Sequence, residues 1–394
     1  MTGIYVHLPF CPYICPYCDF AKWPHRRSAA ARYLTALHRE VANFPLDAAR
    51  GRSIPHDDEV VLHGGNEGFE TVFLGGGTPN TYDARDIAQL LADLRERFPG
   101  PAGRETTIEV NPELVQPEDL AAYRDAGVTR ISIGVQSFVP EEIRTLGRKH
   151  SVEQVRSVVR AARDARIQSI SIDLIFAVPG QTPETWAHSL RTAIELGVDH
   201  ISTYGLTIEA GTPYERWQER VPQAFFDDAR EADLYDIAIE TLERAGFEHY
   251  EISNFARPGH RSKHNANYWA NGAYVGLGVG AASYLAGVRS VHTRDLETYV
   301  DAALEGRAIP NESEQLEGAK RAGEAAMLAL RTSQGVSLQG FKERYGVDFL
   351  EFYAPVIERY REDGLLEVDA THARLTRRGR FVANDVCAAF VTFA

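Results

Sequence analysis

The fold is decided by a short stretch near the start of the chain, residues 3–18, which reads GIYVHLPFCPYICPYC. An apolar, strand-like run, Gly3–His7, leads into three cysteines with C-x3-C-x2-C spacing, Cys11, Cys15 and Cys18. Such closely spaced thiols are not typical of a disulfide framework, and thiolates are soft ligands for iron and zinc. The stretch therefore predicts a loop that binds a metal or a cluster directly after the first strand.

This loop has two candidate inorganic partners. Three thiolates can ligate three corners of a [4Fe–4S] cubane and leave the fourth iron open to a small molecule. Zinc is the alternative, but a structural zinc ion takes four ligands, and the nearest histidines, His7 and His25, supply a less regular spacing. The spacing favours the iron–sulfur cluster.

Composition predicts an ordinary globular protein: 394 residues, 44% hydrophobic and 25% charged, long enough for two domains. Fifty-five acidic against 42 basic residues give a formal net charge of −13, so we expect no nucleic-acid partner. No apolar stretch approaches the roughly 20 residues of a membrane span, and the first strand begins too early for a signal peptide. We expect a cytoplasmic protein without an integral membrane segment. The fourth cysteine, Cys387, is expected to pack in a core.

Apolar, β-branched runs alternate with helical patterns through the first two-thirds of the chain. The predicted strands are Gly3–His7, Glu70–Leu74, Glu105–Val110, Arg130–Gly134, Ser169–Ile175 and His200–Thr207. The predicted helices are Ala29–Asn43, Ala84–Phe98 with Asp83 as its N-cap, Pro117–Ala126, Val152–Ala165 and Pro183–Leu196. About six βα units are too few for an eight-stranded barrel. The pattern therefore predicts an α/β fold, a partial (β/α)6 barrel with reactive groups at the carboxyl ends of its strands.

The pattern changes after about residue 215. The predicted domains are a barrel, a barrel extension and a smaller, mainly helical C-terminal domain, at residues 1–215, 216–310 and 311–394. In the last domain, helical patterns at Gly318–Leu330 and Phe349–Asp363 precede two short runs, 364–368 and 373–376, that are expected to pair as a β-wing. The acidic charge balance favours a structural role over DNA binding for this wing. The polar stretch 46–68 is predicted to be a surface insertion, with no function assigned.

The cysteine motif, with an aromatic residue before its last cysteine, resembles the radical S-adenosylmethionine (SAM) superfamily, whose open cluster iron chelates the amino and carboxylate groups of SAM. Further segments are similar to the branch that contains oxygen-independent coproporphyrinogen III oxidases and the HemW haem chaperones: YVHLPFC at 5–11, LGGGTP at 74–79, IGVQSF at 133–138 and DLI at 173–175. The similarity runs in order from residue 3 to about 285. It implies a radical SAM barrel that holds a [4Fe–4S] cluster on the three clustered cysteines and binds SAM.

The same resemblance implies which residues bind SAM. Gly76, Gly77 and Thr78 would cradle its amino group, because glycines let backbone groups approach a ligand closely. The other expected SAM-binding residues are Tyr5, Tyr17, Glu109, Gln136, Arg148 and Asp173. For each residue alone a capping, packing or surface role would be favoured, but their joint order favours binding.

Two departures from the oxidase pattern separate the branches. Phe20 stands where the oxidases have a fourth cysteine, and only ten residues precede Cys11 where the oxidases have a long extension. The segment HNANYW at 264–269 contains the H-N-x-x-Y-W sequence that is typical of HemW proteins and implicated there in haem binding. Many HemW proteins have a histidine where this chain has Ala282, so a haem mode that uses a second ligand there is in doubt.

The resemblance implies that His264 is an axial ligand of haem iron, with Tyr268 and Trp269 offering flat apolar surface to the porphyrin. The alternative for His264 is a hydrogen-bonded core histidine. The implied function is a haem chaperone that passes haem to an acceptor protein, with no catalytic residue assigned; a reductant protein is a further candidate partner. Two other functions stay open, a radical SAM enzyme acting on a porphyrinogen and a scaffold that only stores or delivers a cluster.

Overall fold

A long β-sheet flanked by helices forms the larger part of the protein, and the computed structural model describes residues 1–45 and 68–393. Apart from Gly68, the predicted insertion 46–68 lies outside the described residues. The strands of the first region are β1 (Thr2–Leu8), β2 (Phe10–Cys11), β3 (Trp23–Pro24), β4 (Thr71–Gly76), β5 (Glu105–Val110), β6 (Arg130–Gln136), β7 (Ser169–Phe176) and β8 (His200–Gly205). Its helices are α1 (Arg27–Asn43), α2 (Ala84–Arg97), α3 (Pro117–Asp125), α4 (Pro140–Thr145), α5 (Val152–Asp164) and α6 (Pro183–Glu195).

The rest of the chain extends this sheet and then forms a smaller unit. The extension contains α7 (Pro213–Arg220), α8 (Asp228–Arg244), β9 (Glu248–Glu251), β10 (Asn254–Ala256), α9 (Lys263–Trp269), β11 (Ala273–Leu277), β12 (Ala282–Leu285), β13 (Val288–His292), α10 (Leu296–Glu305) and β14 (Asn311–Gln315). The smaller unit contains α11 (Gly318–Leu330), β15 (Val336–Ser337), α12 (Leu338–Tyr345), α13 (Phe349–Phe352), α14 (Ala354–Glu362), β16 (Leu366–Val368), β17 (His372–Leu375), α15 (Arg377–Phe381) and α16 (Ala383–Phe393). Short 3-10 helices lie at Pro79–Thr81 and Pro222–Ala224.

The strand order confirms the predicted α/β fold class. Strands β1, β4, β5, β6, β7 and β8 are neighbours in chain order and pair in parallel. On the outer edge of β1 the sheet continues with β11, which is also parallel, while β10 pairs antiparallel with β8 at the other end. Parallel strands joined by helices place their carboxyl ends at one edge, where ligand sites of such sheets lie.

Alternation along each strand separates the core from the inside of the barrel. In β1, Ile4, Val6 and Leu8 are buried in the same core as Leu34 and Leu37 of α1. Residues of the other parity point to the inner face of the curved sheet, because successive side chains of a strand point to opposite faces. The predicted helices and strands agree with these elements to within a few residues at each end.

The structure confirms one detail of the predicted helices and corrects another. Asp83 is the N-cap of α2, as predicted; its backbone carbonyl accepts from the Asp86 and Ile87 amides at 2.9 and 3.2 Å, and its side chain accepts no hydrogen bond from the first turn. The pattern 349–363 is two helices, because the chain leaves helical geometry at Tyr353 and α14 restarts with a proline in its first turn. Proline lacks the amide that a continuous helix requires.

The smaller unit has a hydrophobic core of its own. Phe349, Tyr353 and Phe390 pack there in mutual ring contact, and Cys387 is fully buried among them, as expected. Strands β16 and β17 pair antiparallel and form the predicted wing, with β15 on the other side of β17. Across residues 1–45 and 68–393, no helix combines the length and apolarity of a membrane span.

A buried histidine joins the smaller unit to the edge of the sheet. His249 in β9 stacks on Phe255 with ring centroids 4.2 Å apart, and Arg380 of α15 donates to its Nδ1 at 2.9 Å. The Nε2 of His249 lies 3.2 Å from the carbonyl of Ile252 and donates to it. This arrangement needs a neutral ring; burial first, and then the charge of Arg380, lower the pKa of His249 to about 4.

We predict that His249 makes the stability of the protein depend on pH. The folded-state pKa lies below the value of about 6.5 in the unfolded chain, so the unfolded chain takes up the proton first as the pH falls. The contribution is complete above pH 6.5 and is lost as the pH falls towards 4. Between pH 7 and pH 5 the free energy of unfolding of the wild type should fall by about 2 kcal/mol more than that of His249→Gln, measured by urea denaturation. Equal losses in both proteins would contradict this assignment.

Candidate functional site

The three clustered cysteines lie on the loop that follows β1. Cys11 ends β2 and is buried, whereas Cys15 and Cys18 are half-buried, and the Cys18 amide donates to the Cys15 carbonyl at 3.3 Å. Burial, with smaller contributions from the other two thiols, raises the pKa of Cys11 to about 11. In the described parts of the chain, no three His, Cys, Asp or Glu side chains converge on one metal-ion position. A cubane does not need such convergence, because each of its thiolates binds a different iron atom.

Hydrogen bonds fix both ends of this loop. The amides of Trp23 and His25 donate to the carbonyls of Pro9 and Cys11 at 2.9 and 2.8 Å, and these bonds pair β3 with β2. Inside the barrel mouth, His7 Nε2 donates to the Ala21 carbonyl at 2.7 Å and His7 Nδ1 accepts from the Tyr5 hydroxyl at 2.9 Å. His7 was considered above only as a zinc ligand, and the structure shows that it links Tyr5 to the loop.

The glycine-rich segment after β4 packs directly under the entry to the loop. The amides of Gly77 and Thr78 donate to the carbonyls of Leu8 and Phe10 at 2.9 and 3.0 Å. Gly76 has φ +108°, and a Cβ there would lie 2.3 Å from Nδ1 of His7. Both the conformation and the lack of space require glycine at this position.

Arg148 connects the cysteine loop to the ends of β5 and β6. Its Nη1 lies 3.8 Å from Sγ of Cys15, and its Nη2 donates to Oδ1 of Asn111 and to the carbonyl of Gly134, both at 2.7 Å. Tyr17 lies beside the same thiol, which helps to raise the pKa of its hydroxyl after the larger effect of burial. Asn111 was missed by the sequence analysis, although its position directly after a strand could have indicated it.

Two carboxylates face the inside of the barrel. Glu109 accepts a hydrogen bond from the Gly76 amide at 3.1 Å, and Asp173 accepts one from the Ser132 hydroxyl at 3.1 Å. Desolvation, and then the charge of Asp173, raise the pKa of Glu109 to about 7; desolvation also raises the pKa of Asp173. Such carboxylates favour a ligand that brings hydrogen-bond donors or positive charge.

Gln136 stands in an unusual backbone conformation beside these carboxylates. Its φ is +68°, and the register between β6 and β7 shifts between Gly134 and Gln136. A non-glycine residue with positive φ is uncommon and clusters at ligand sites. The bulge turns the end of β6 at the barrel mouth.

Each of the strands β1 and β4 to β8 presents a partly exposed residue of the inward-facing parity. These residues are Tyr5, Phe73, Glu109, Gly134, Asp173 and Tyr204. Tyr204 is the most open of this set at 41% exposed, although it lies on the concave side of the sheet. Together they show that the barrel has an open lumen, lined by aromatic and acidic groups.

The H-N-x-x-Y-W segment lies at the opposite end of the same barrel. It forms α9, where His264 is buried with Nδ1 2.8 Å from the Thr71 hydroxyl and Nε2 2.8 Å from the Tyr268 hydroxyl. The imidazole stacks on Phe73 at 5.2 Å, and burial lowers its pKa to about 3. Its two hydrogen bonds engage both ring nitrogens of His264 in this conformation. Because Thr71 starts β4 and Gly76 ends it, His264 is separated from the cysteine-loop end by roughly 16 Å.

Tyr268 and Trp269 face different neighbours. Tyr268 contacts His264 under the barrel, with ring centroids 4.8 Å apart. Trp269 lines a cavity of about 130 Å³ together with Ala325 and Phe341 of the smaller unit. Its Nε1 is buried and has no hydrogen-bond partner among the described residues. The motif thus reaches both the barrel floor and the junction with the smaller unit.

We predict that Gly76→Ala prevents stable cluster assembly while the barrel still folds, because its methyl group displaces His7 and the entry to the cysteine loop. Iron and sulfide contents after anaerobic reconstitution measure the effect. Gly103→Ala is the matched control, since Gly103 has φ +71° but open space around its Cβ position. Both variants should lose about 1 kcal/mol of stability to the positive φ, and only Gly76→Ala should lose most of its iron. Equal iron contents would show that the close contact is unimportant.

Two regions of the chain match known protein families. Residues 5–193 match the Radical SAM superfamily, and residues 316–382 match the HemN C-terminal domain. The fold is similar to that of coproporphyrinogen III oxidase (HemN) from Escherichia coli, a radical SAM enzyme, with a TM-score of 0.82 and 25% identity, covering 100% of this chain and 90% of that one.

Two curated relatives are similar over almost their whole length. The chain is 32% identical over 393 residues to the heme chaperone HemW of Bacillus subtilis strain 168, covering 99% of each chain. It is 34% identical over 388 residues to the heme chaperone HemW of Mycobacterium tuberculosis strain H37Rv, covering 98% of this chain and 93% of that one. The chain therefore belongs to the HemW family within the radical SAM superfamily.

Proposed function

We propose that this protein is a haem chaperone, which binds haem and transfers it to an acceptor protein. The observation that carries the proposal is the similarity to HemW of Bacillus subtilis across 99% of both chains. The H-N-x-x-Y-W segment at residues 264–269 supports it. Phe20 supports it as well: it stands where the oxidases have a fourth cysteine, and it is 65% exposed on the cysteine loop.

Membership of the radical SAM superfamily implies a [4Fe–4S] cluster and SAM. We assign the cluster to Cys11, Cys15 and Cys18. These thiols lie on one loop that is fixed by backbone hydrogen bonds, and thiolates are soft ligands that suit iron. When bound, cluster and SAM together supply reductive cleavage of SAM. The residues of this chain that we assign to SAM are Tyr5, Tyr17, Gly76, Gly77, Thr78, Glu109, Gln136, Arg148 and Asp173.

These assignments follow from the donors that the residues offer at the barrel mouth. Glu109 and Asp173 present acceptors to an ammonium or to ribose hydroxyls, and Arg148 holds a positive charge beside Cys15. The hydroxyl of Tyr5 is engaged with His7, so Tyr5 offers its ring rather than its hydrogen bond to a ligand.

Haem ligation by His264 requires a local change. Nε2 of His264 accepts a hydrogen bond from Tyr268 in this conformation, or donates one to it, so this nitrogen must leave Tyr268 to bind iron. We propose this exchange as the haem-binding step, with Tyr268 and Trp269 contacting the porphyrin. The low pKa of His264 helps, because a neutral imidazole is the form that binds iron.

The proposed partners are haem, an acceptor protein and a reductant protein. We propose the cytoplasm as the compartment, because three unpaired thiols next to one another stay reduced there. The second candidate function is turnover of a porphyrinogen, favoured by the fold similarity to HemN over the whole chain. Anaerobic incubation of the reduced protein with SAM and coproporphyrinogen III tests it, and decarboxylated product would establish it.

We predict that two conservative variants at the motif change haem binding in opposite directions. His264→Gln removes the ligand, so the Soret band of the haem complex should shift and the affinity for haem should fall. Tyr268→Phe keeps the ring and frees Nε2, so haem should bind more tightly than to the wild type. The measurement is a Soret titration of the anaerobically reconstituted proteins, with and without SAM.

Ser157→Ala on the exposed face of α5 is a control outside the motif. If both motif variants only lower the unfolding temperature and leave the Soret spectrum unchanged, His264 is a core histidine and not a ligand. If the wild type itself gives no haem spectrum despite an intact cluster, the chaperone proposal is wrong and the porphyrinogen assay decides next.

A further inference from the structure

A buried arginine inside the barrel forms no ion pair with any residue that the structure describes. Arg130 is the first residue of β6 and is 3% exposed. Its Nε has no hydrogen-bond partner, and none of the ion pairs formed within residues 1–45 and 68–393 includes it. Burial of an unpaired charge is costly, so such a group usually marks a place where another charge binds.

Its two neighbours across the sheet also carry unsatisfied polar atoms. Arg130 is the register partner of Thr107 in β5 and of Ser169 in β7. The hydroxyl oxygens Oγ1 of Thr107 and Oγ of Ser169 are buried and find no partner in the described structure. Buried polar atoms are rarely left without hydrogen bonds. Arg130, Thr107 and Ser169 lie side by side on three adjacent strands of the inner face, and each has one such atom. Together they offer hydrogen-bond donors to a ligand, with the guanidinium between the two hydroxyls.

Arg130 lies between the lumen carboxylates and the histidines on the floor of the barrel. Its charge lowers the pKa values of Glu109 and Asp173 in the lumen and of His200 and His264 on the floor, in each case after the larger effect of burial. Arg130 starts β6 and Gln136 ends it, a separation of roughly 20 Å along the strand. Arg130 is thus at the end of the strand near the haem motif, and its register partner Thr107 lies two residues, roughly 7 Å, before Glu109.

We infer that Arg130, together with Thr107 and Ser169, binds a carboxylate on the floor of the barrel, and that this carboxylate is a propionate of the tetrapyrrole. The inference rests on the proposed function, because it takes haem as the cargo. A guanidinium pairs with a carboxylate through two parallel hydrogen bonds, and the two hydroxyls add donors beside it. Propionates are the anionic groups of haem, and His264 lies on the same floor.

SAM also carries a carboxylate, and the experiment separates the two sources. Haem and haem dimethyl ester, in which both propionates are esterified, are titrated into the anaerobically reconstituted wild type, Arg130→Gln and the matched control Arg160→Gln. Arg160 is an exposed residue of α5. SAM affinity is measured in parallel by equilibrium dialysis.

The wild type and the control should bind haem about tenfold or more tightly than the diester, which is the size expected for one charge-assisted pair. Arg130→Gln should bind both forms alike, with unchanged SAM affinity. Arg130→Lys, which keeps the charge but loses the planar fork, should show an intermediate preference. Without ligand, the unfolding temperature of Arg130→Gln should be equal to or above that of the wild type, because an unpaired buried charge is removed.

Three results would overturn the inference. A preference for haem over the diester that persists in Arg130→Gln places the propionates elsewhere. No preference in the wild type means that the three polar groups hold only water. Loss of SAM binding in Arg130→Gln, with haem preference intact, assigns the carboxylate to SAM. If the wild type binds neither haem nor its diester, the proposed function fails together with the inference, and this outcome differs from the other three.

Discussion

The contact between the backbone of residues 8–10 and the glycine segment after β4 is the constraint on which the site depends. Gly77 and Thr78 donate to this entry segment, and Gly76 leaves no room for a side chain against His7. The direction in which the cysteine loop leaves the sheet is therefore fixed by the glycine segment. Because Gly76 also donates to Glu109, the same segment positions a lumen carboxylate relative to the loop. One tight backbone contact thus links the thiols to the ligand-facing wall.

The inside of the barrel is polar at two levels, and this makes it unsuitable as a purely structural core. Glu109 and Asp173, with raised pKa values, lie nearer the cysteine-loop end of the barrel. Arg130 and His264 lie nearer the opposite end and are buried from water. A parallel sheet covered on both faces normally has apolar residues on both. Polar groups kept inside a barrel at the expense of stability are typical of ligand sites. Arg130 is level with Thr107 and Ser169, which lie two residues before Glu109 and four before Asp173, so the two levels are roughly 7–13 Å apart along the strands.

Much of this arrangement followed from the sequence by local rules. The βα alternation predicted the strands and helices of the barrel because period-2 and period-3.6 patterns reflect burial of one face, and this burial is what the fold retains. Glu109 and Gln136, near the carboxyl ends of β5 and β6, could be predicted to lie at one edge of the sheet because parallel strands share a carboxyl edge. Local rules failed where a tertiary contact replaced them: Tyr353 interrupts a predicted helix and packs in the core of the smaller unit.

The sequence by itself determined the fold class, the cysteine loop and the family, because these depend on spacing along the chain and on residue type. Only the tertiary structure decided that His264 lies at the floor of the barrel with both ring nitrogens in hydrogen bonds. It also decided that Trp269 faces the smaller unit, whereas its neighbour Tyr268 faces His264. It also decided that Arg130 lacks a counter-ion among the described residues. A partner, or its absence, is set by strands and helices far apart in the chain, and the local pattern around a residue carries no information about them.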